Sequence, residues 1–121
     1  MTTAETGRAG ERAAAEYLRR AGYDILACNW RTGRYELDIV ARRGGVLHFV
    51  EVKTRRAAGL TTPEQAVTPT KFRALRRAAQ HYMALRGDTE EEVQFDLAAV
   101  DAWPDGSLEV RFIERAMECH W

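Results

Sequence analysis

The residue types most suited to chemistry stand in two short runs of apolar, β-type sequence. Glu36 and Asp38 lie in the first run, and Glu51 and Lys53 lie in the second. Two neighbouring carboxylates repel each other, which drives one of them toward its protonated form unless a cation lies between them. Mg²⁺ takes one or two protein carboxylates and keeps several waters for a phosphate and a nucleophile. Asp38 and Glu51 are therefore predicted to bind Mg²⁺, for which Mn²⁺ can substitute.

The Gly44-Gly45 pair between the two runs determines which side chains meet. If both glycines occupy the centre of a tight hairpin, the register places Asp38 opposite Glu51 and Glu36 opposite Lys53. Directly opposed residues share a face of the sheet, with Cβ atoms about 4.5–5.5 Å apart. The other face of the hairpin is then apolar and forms a core, which consists of Leu37, Ile39, Val50 and Val52.

Lys53 follows Glu51 by the side-chain period of a strand and therefore points to the same face. An ammonium group there can orient an attacking water or neutralise the negative charge that develops on a phosphate. A metal ion that acts as a Lewis acid beside such a cation is suited to the cleavage of phosphodiester bonds.

The elements that position these residues follow the order α-β-β-β-α-β-β. Apolar periodicity, glycine and proline predict a helix over 7–21, strands over 23–30, 34–42 and 46–53, a helix from about 70 to 86 and strands over 93–100 and 108–113. The second helix is expected to be the crossover that joins the hairpin to the strand 93–100. We therefore expect an α/β fold in which helices flank a mixed sheet.

Length and composition limit the class of protein. The 121 residues predict one domain, with an ordered core over about 7–114 and a tail over 115–121. No apolar run approaches the roughly 20 residues of a membrane span, and the N-terminus resembles no secretory signal. Cys28 and Cys119 are expected to be reduced thiols of a cytoplasmic protein.

Charge is distributed unevenly along the chain although the net charge is zero. Residues 1–86 contain 16 Lys and Arg against 8 Asp and Glu, a net +8, and residues 87–121 contain 2 against 10, a net −8. A basic surface that binds nucleic acid would explain the asymmetry, and so would a solvated surface on which the signs happen to segregate.

The pattern of an aspartate followed by Glu-x-Lys within a hairpin resembles the PD-(D/E)xK nuclease superfamily. More closely, the chain resembles the small, uncharacterised bacterial YraN-like family, which is similar in fold to archaeal Holliday-junction resolvases. The motifs that carry the resemblance are Gly7-x-x-Gly10-Glu11, Asn29-Trp30-Arg31, Glu36-Leu37-Asp38, Phe49-Val50-Glu51-Val52-Lys53, Ala66-Val67 with Lys71, and Phe95-Asp96.

The resemblance implies a restriction-endonuclease-like fold and a set of roles. Asp38 and Glu51 would bind Mg²⁺, Lys53 would be the catalytic lysine, and Glu11 would be the acid that the first helix contributes. By the same analogy the substrate would be DNA, including branched DNA such as a Holliday junction, and the protein would act as a homodimer. An alternative to a role of Glu11 in the site is that its charge stabilises the first turn of its helix by interacting with the helix dipole.

Other polar residues are assigned supporting roles. Glu36 is expected either to pair with Lys53 or to contact the metal ligands without binding the metal itself. Gln65 is expected either to lie near the site or to be an ordinary polar loop residue. The residues expected to contact DNA phosphates, or else to form a solvated basic surface, are Arg55, Arg56, Lys71, Arg73, Arg76 and Arg77. His48 is expected to pack in the core and Asp96 to pair within its strand region.

These observations leave three functions open. The favoured one is an endonuclease that cleaves DNA with Mg²⁺. The others are a binding module for nucleic acid or protein that keeps the nuclease fold without turnover, and an enzyme that acts on another phosphate substrate. A module that only binds DNA gains nothing from carboxylates beside the phosphates, which disfavours the second function.

Overall fold

A computed structural model describes residues 2–57, 68–87 and 92–117 of the chain. Its elements are α1 (Thr3–Arg20), β1 (Asp24–Thr32), β2 (Tyr35–Arg43), β3 (Val46–Arg56), α2 (Pro69–Arg86), β4 (Glu92–Ala102) and β5 (Leu108–Ile113). The order α-β-β-β-α-β-β is the predicted one. Neither helix of the described residues is long and apolar enough to cross a membrane.

The strands form one mixed sheet in the spatial order β1-β2-β3-β4-β5. Neighbouring strands are antiparallel except β3 and β4, which run parallel and are joined through α2. A parallel connection needs such a crossover because the chain must run back to the end of the sheet where β3 began before β4 can start in the same direction. The sheet and its two helices confirm the predicted α/β class and fit a restriction-endonuclease-like fold.

Local signals in the sequence fix the ends of the helices. Helix α2 begins after Thr68, whose side chain caps the Lys71 amide, and ends at Gly87, which has a φ of 70°. Helix α1 begins at Thr3 and not at Gly7 as predicted. Its first turn forms because Thr2 and Glu5 satisfy each other's backbone amides in a capping box.

Apolar side chains cover both faces of the sheet near the hairpin turn. One core cluster lies under α1 and includes Leu18, Ile39 and Val50. The other lies under α2 and includes Phe49 and Leu75, together with Leu37. The prediction that Leu37 and Ile39 share one apolar face is therefore wrong, because the two side chains pack on opposite faces of the sheet.

The C-terminal boundary of the core also differs from the expected one. Met117 is only 1 % exposed and belongs to the cluster under α2. Its amide donates a hydrogen bond to the Phe95 carbonyl, and the Arg115 amide donates one to Asp96. The core thus continues past residue 114, and the rest of the predicted tail, residues 118–121, lies outside the described part of the chain.

Candidate active site

The β2–β3 hairpin has the register predicted from its two glycines. Gly44 and Gly45 have φ angles of 57° and 76°, as a two-residue turn of this type requires. The ladder runs from Arg43 opposite Val46 to Ile39 opposite Val50. The turn chemistry therefore fixes the alignment of the strands that carry the acids.

The ladder does not continue to Asp38 and Glu51. Instead, Asp38 Oδ2 accepts a hydrogen bond of 2.9 Å from the backbone amide of Val52. The prediction that Asp38 and Glu51 form a regular cross-strand pair is corrected accordingly. The two acids still line one cavity, and the charge of Glu51 therefore raises the pKa of Asp38.

A distortion of β1 lies beside Asp38. The β1–β2 pairs on either side are Cys28 with Ile39 and Trp30 with Leu37, and between them Asn29 has a φ of 51°. The register of β1 with β2 is the same on both sides of Asn29, so this left-handed conformation is a local feature of β1 beside Asp38. Asparagine tolerates positive φ better than most residues, and this is the signal in the sequence that could have identified Asn29.

Burial and neighbouring carboxylates govern the protonation of Asp38. Burial raises its pKa most, and the charges of Glu51, Glu11 and Glu36 raise it further, whereas the hydrogen bond from Val52 lowers it. The result is a pKa of about 7. At neutral pH the side chain is therefore divided between its acid and its ionised form.

Glu11 of α1 belongs to the same group of acids. Its pKa is raised, first by burial and then by the charges of Glu36 and Glu51, and a hydrogen bond from Asn29 lowers it. Its Oε2 atom is buried without a hydrogen-bond partner. A buried carboxylate oxygen normally has a partner, so this atom is suited to a ligand that the protein itself does not supply.

Two of the acids have basic partners. Lys71 Nζ lies 2.8 Å from Glu51 Oε1, and the Glu51 side chain is only 11 % exposed. Arg31 Nη2 lies 3.6 Å from Glu36 Oε2 on the exposed side of the hairpin. The expected Glu36–Lys53 pair is therefore wrong, because Arg31 is the direct neighbour of Glu36 on β1, whereas the β2–β3 ladder ends before Glu36.

Asp38 lies where three cavities meet. The largest, of about 830 Å³, lies between the first turns of α1 and the ends of β3 and β4, and Glu11 and Lys53 also line it. We refer to it as the main cavity. A second cavity of about 490 Å³ also contains Glu11 and Asn29. A third, of about 270 Å³, opens on the α2 side and contains Glu36, Glu51 and Lys71.

The carboxylates around Asp38 are of the kind that binds Mg²⁺. Within residues 2–57, 68–87 and 92–117, no three His, Cys, Asp or Glu side chains form a metal-binding cluster by themselves. Mg²⁺ needs only one or two carboxylates and keeps the rest of its shell as water and phosphate oxygens. Asp38 and Glu51 can supply these carboxylates. The raised pKa of Asp38 and the unpartnered Oε2 of Glu11 both indicate negative charge that a cation would stabilise.

The predicted phosphate-binding residues fall into two groups. Arg55 and Arg56 line the main cavity beside Lys53. The α2 arginines are exposed: Arg73 contacts Thr70, Arg76 lies over the Phe72 ring, and Arg77 faces solvent. The structure therefore brings the β3 arginines to the acids, and of the four basic α2 residues named in the prediction it brings Lys71 into contact with Glu51. Gln65 lies outside the described residues.

Comparison with known proteins identifies the relatives of the chain. A UPF0102 protein of Symbiobacterium thermophilum is 48% identical over 110 residues, which cover 91% of this chain and 93% of the relative. A UPF0102 protein of Bacteroides fragilis is 44% identical over 110 residues, or 91% and 89% of the two chains. One of Oleidesulfovibrio alaskensis is 47% identical over 94 residues, which cover 78% of this chain and 46% of that longer protein.

A family model matches residues 10–100, from the buried glycine of α1 to near the end of β4. The match includes Glu11, Asp38, Glu51 and Lys53, the four residues predicted to act on a substrate. It confirms the resemblance to an uncharacterised, YraN-like bacterial family. The chain therefore belongs to the uncharacterised protein family UPF0102.

Proposed function

We propose that the protein is a Mg²⁺-dependent endonuclease that hydrolyses phosphodiester bonds of DNA. The observation that carries the proposal is the convergence of Asp38, Glu51 and Glu11 from three different elements, with the pKa of Asp38 raised to about 7. Such a cluster destabilises a fold in the absence of a cation, because each acid makes ionisation of the others more costly, and arrangements of this kind are concentrated at functional sites.

Each residue has a distinct role in this proposal. Asp38 and Glu51 hold the Mg²⁺ or Mn²⁺ ion, and the Val52 amide fixes the orientation of the Asp38 carboxylate. The bound ion would act as a Lewis acid on the phosphate. Lys53 lines the main cavity with Asp38, where its ammonium group orients the attacking water and neutralises negative charge on the phosphate. Glu11 accepts a proton or a hydrogen bond from a water at the same place.

The basic residues beside the acids suit a polyanionic substrate. Arg55 and Arg56 follow Lys53 on β3 and line the same cavity, so a DNA backbone that reaches the acids passes them. Contacts of this kind position a strand without reading its sequence. By analogy with resolvases, branched DNA and a homodimer are part of the proposal.

One observation favours a second function, a binding module without turnover. Lys71 already neutralises Glu51 at 2.8 Å, so the protein tolerates this acid without a metal ion. If Lys71 stays in place, Asp38 is left to bind a cation without Glu51, and the site would bind nucleic acid or a protein without cleaving a substrate.

A nuclease assay separates the two functions. Purified protein is incubated with plasmid, single-stranded and four-way-junction DNA in Mg²⁺ or Mn²⁺. We expect cleavage that Asp38→Ala, Glu51→Ala and Lys53→Ala each abolish. Cleavage that survives all three substitutions would belong to a contaminant, and binding without cleavage in either metal would favour the module.

A further inference from the structure

A tryptophan forms the outer wall of the main cavity. Trp103 follows β4, is 44 % exposed and lines this cavity together with Pro104. Isolated exposed aromatic residues are common on protein surfaces. Trp103 differs from most of them because it shares a cavity with Asp38 and Lys53.

The backbone around Trp103 is held by a tight turn. The Trp103 amide donates a hydrogen bond of 2.9 Å to the Ser107 carbonyl, and the Trp103 carbonyl accepts one of 2.9 Å from Gly106. Asp105 in turn accepts hydrogen bonds from the amide and hydroxyl of Ser107. The backbone that carries the indole is therefore fixed by the turn, so a ligand that covers the ring does not have to order a loop.

The floor of the cavity between Trp103 and the acids is basic. Strands β3 and β4 pair in parallel with Lys53 beside Ala99 and Arg56 beside Ala102. Trp103 therefore lies about 13 Å beyond Lys53 along the sheet, at roughly 3.3 Å per residue. Arg55 and Arg56 lie between these two points. A row of cations that ends at an aromatic ring is the arrangement by which proteins bind single-stranded nucleic acid.

We propose that Trp103 stacks on an unpaired base of the DNA strand whose phosphate lies at Asp38 and Lys53. The identity of the polymer rests on the proposed nuclease function. In a duplex, neighbouring bases already cover both faces of each base, so Trp103 can stack only where the strand is single, frayed or branched. Trp103 would therefore determine specificity for an unpaired segment near the scissile phosphate.

Binding without cleavage tests the proposal directly. In EDTA, the affinity of the whole chain is measured by fluorescence anisotropy for a labelled single-stranded oligonucleotide and for the same sequence as a blunt duplex. Loss of one base–aromatic stack is expected to weaken single-strand binding of Trp103→Ala roughly 10-fold, with less than about 2-fold change for the duplex. Trp103→Phe keeps a stacking ring and is expected to retain most of the affinity.

Two further measurements separate stacking from a structural role. Leu85→Ala on α2 removes another exposed apolar side chain, which is 78 % exposed, and should change neither affinity. The oligonucleotide should also quench the tryptophan emission of the native chain and leave that of Trp103→Phe largely unquenched, although Trp30 and Trp121 remain.

Failure of this proposal is distinguishable from failure of the nuclease function. Equal losses for single strand and duplex in Trp103→Ala, or no loss for either, would overturn the stacking role whether or not the protein cleaves DNA. Trp103-dependent binding of the single strand in a protein that cleaves nothing would instead overturn the nuclease function and keep the stacking role.

Discussion

Asp38 Oδ2 accepts a hydrogen bond of 2.9 Å from the Val52 amide, where the next backbone bond of the β2–β3 ladder would form. The bond holds the carboxylate at the inner end of the main cavity. Burial and three neighbouring acids meanwhile raise the pKa of the same carboxylate to about 7. The hairpin thus fixes an acid in a place where its ionised form is unfavourable unless a cation is present.

The protonation of Asp38 predicts how stability depends on pH without metal. Unfolding returns the pKa from about 7 to its ordinary value of 3.8, so between these pH values the folded state holds a proton that the unfolded state releases. The free energy of unfolding therefore falls as pH rises from about 4 to 7, by on the order of 2–4 kcal/mol from Asp38 alone. Urea unfolding in EDTA at a series of pH values measures this decline.

Asp38→Asn removes the charge and keeps an oxygen that can accept the Val52 hydrogen bond. We expect the variant to be more stable than the native chain at pH 8 and to show a smaller decline between pH 4 and 7. Asp24→Asn, at an exposed position of β1, is the matched control and should leave the profile unchanged. Parallel profiles for the native chain and Asp38→Asn would contradict the raised pKa.

The ion pair between Lys71 and Glu51 predicts that the lysine and a metal ion compete for the Glu51 carboxylate. Lys71→Met removes the ammonium group 2.8 Å from Glu51 Oε1 and leaves a carboxylate that is only 11 % exposed without that partner. We expect the metal-free variant to lose about 1–3 kcal/mol of unfolding free energy. We also expect it to bind Mg²⁺ several-fold more tightly than the native chain does, because the ion no longer displaces a cation. Calorimetric titration with Mg²⁺ at pH 8 measures the second effect.

Arg73→Met is the control for this experiment. Arg73 lies on the same helix, is exposed and contacts Thr70, so its loss should change neither stability nor Mg²⁺ binding appreciably. Weaker Mg²⁺ binding by Lys71→Met would show that Lys71 supports the ion instead of competing with it.

The sequence predicts local features of this protein better than tertiary ones. The Gly44-Gly45 turn and the Thr68 cap can be predicted from the sequence. Paired glycines favour the positive φ angles of a two-residue hairpin turn, and threonine is a preferred N-cap of helices. The Lys71–Glu51 ion pair cannot be predicted from the sequence, since it depends on how elements far apart in the chain pack. The expected Glu36–Lys53 pair is wrong for the same reason: the β1 neighbour of Glu36 is fixed only when the sheet forms.

Gly10 determines how closely α1 approaches β3, the strand that carries Glu51 and Lys53. A Cβ atom at this position would collide with the Thr54 hydroxyl and lie 3.0 Å from Thr54 Cβ. Alanine gains about 1 kcal/mol over glycine within a helix, so the collision must outweigh this gain. We expect Gly10→Ala to lower the free energy of unfolding by about 1–3 kcal/mol and, under the nuclease proposal, to reduce cleavage because Glu11 moves.

Gly7→Ala is a matched control on the same helix. A Cβ atom there meets nothing within 4 Å, so only the gain in helix propensity remains, up to about 1 kcal/mol of added stability. Thermal unfolding of both variants compares the two effects. Similar stabilisation by the two substitutions would show that α1 does not need its close contact with Thr54.

Asp96 is expected to be the most sensitive acid for folding. Its side chain is 0 % exposed and lies 2.6 Å from His48 Nδ1, while Gln94 and the Arg115 amide each donate a hydrogen bond of 2.8 Å. Asp96→Ala removes the partner of buried His48 and one of the two acceptors of Gln94, which keeps Glu114, and should lower the free energy of unfolding by roughly 3–5 kcal/mol. Asp101→Ala, on the same strand, breaks an ion pair with Arg111, whose side chain is 47 % exposed, and should cost at most about 1 kcal/mol. Equal losses of stability in urea unfolding would show that the buried network is no stronger than a surface ion pair.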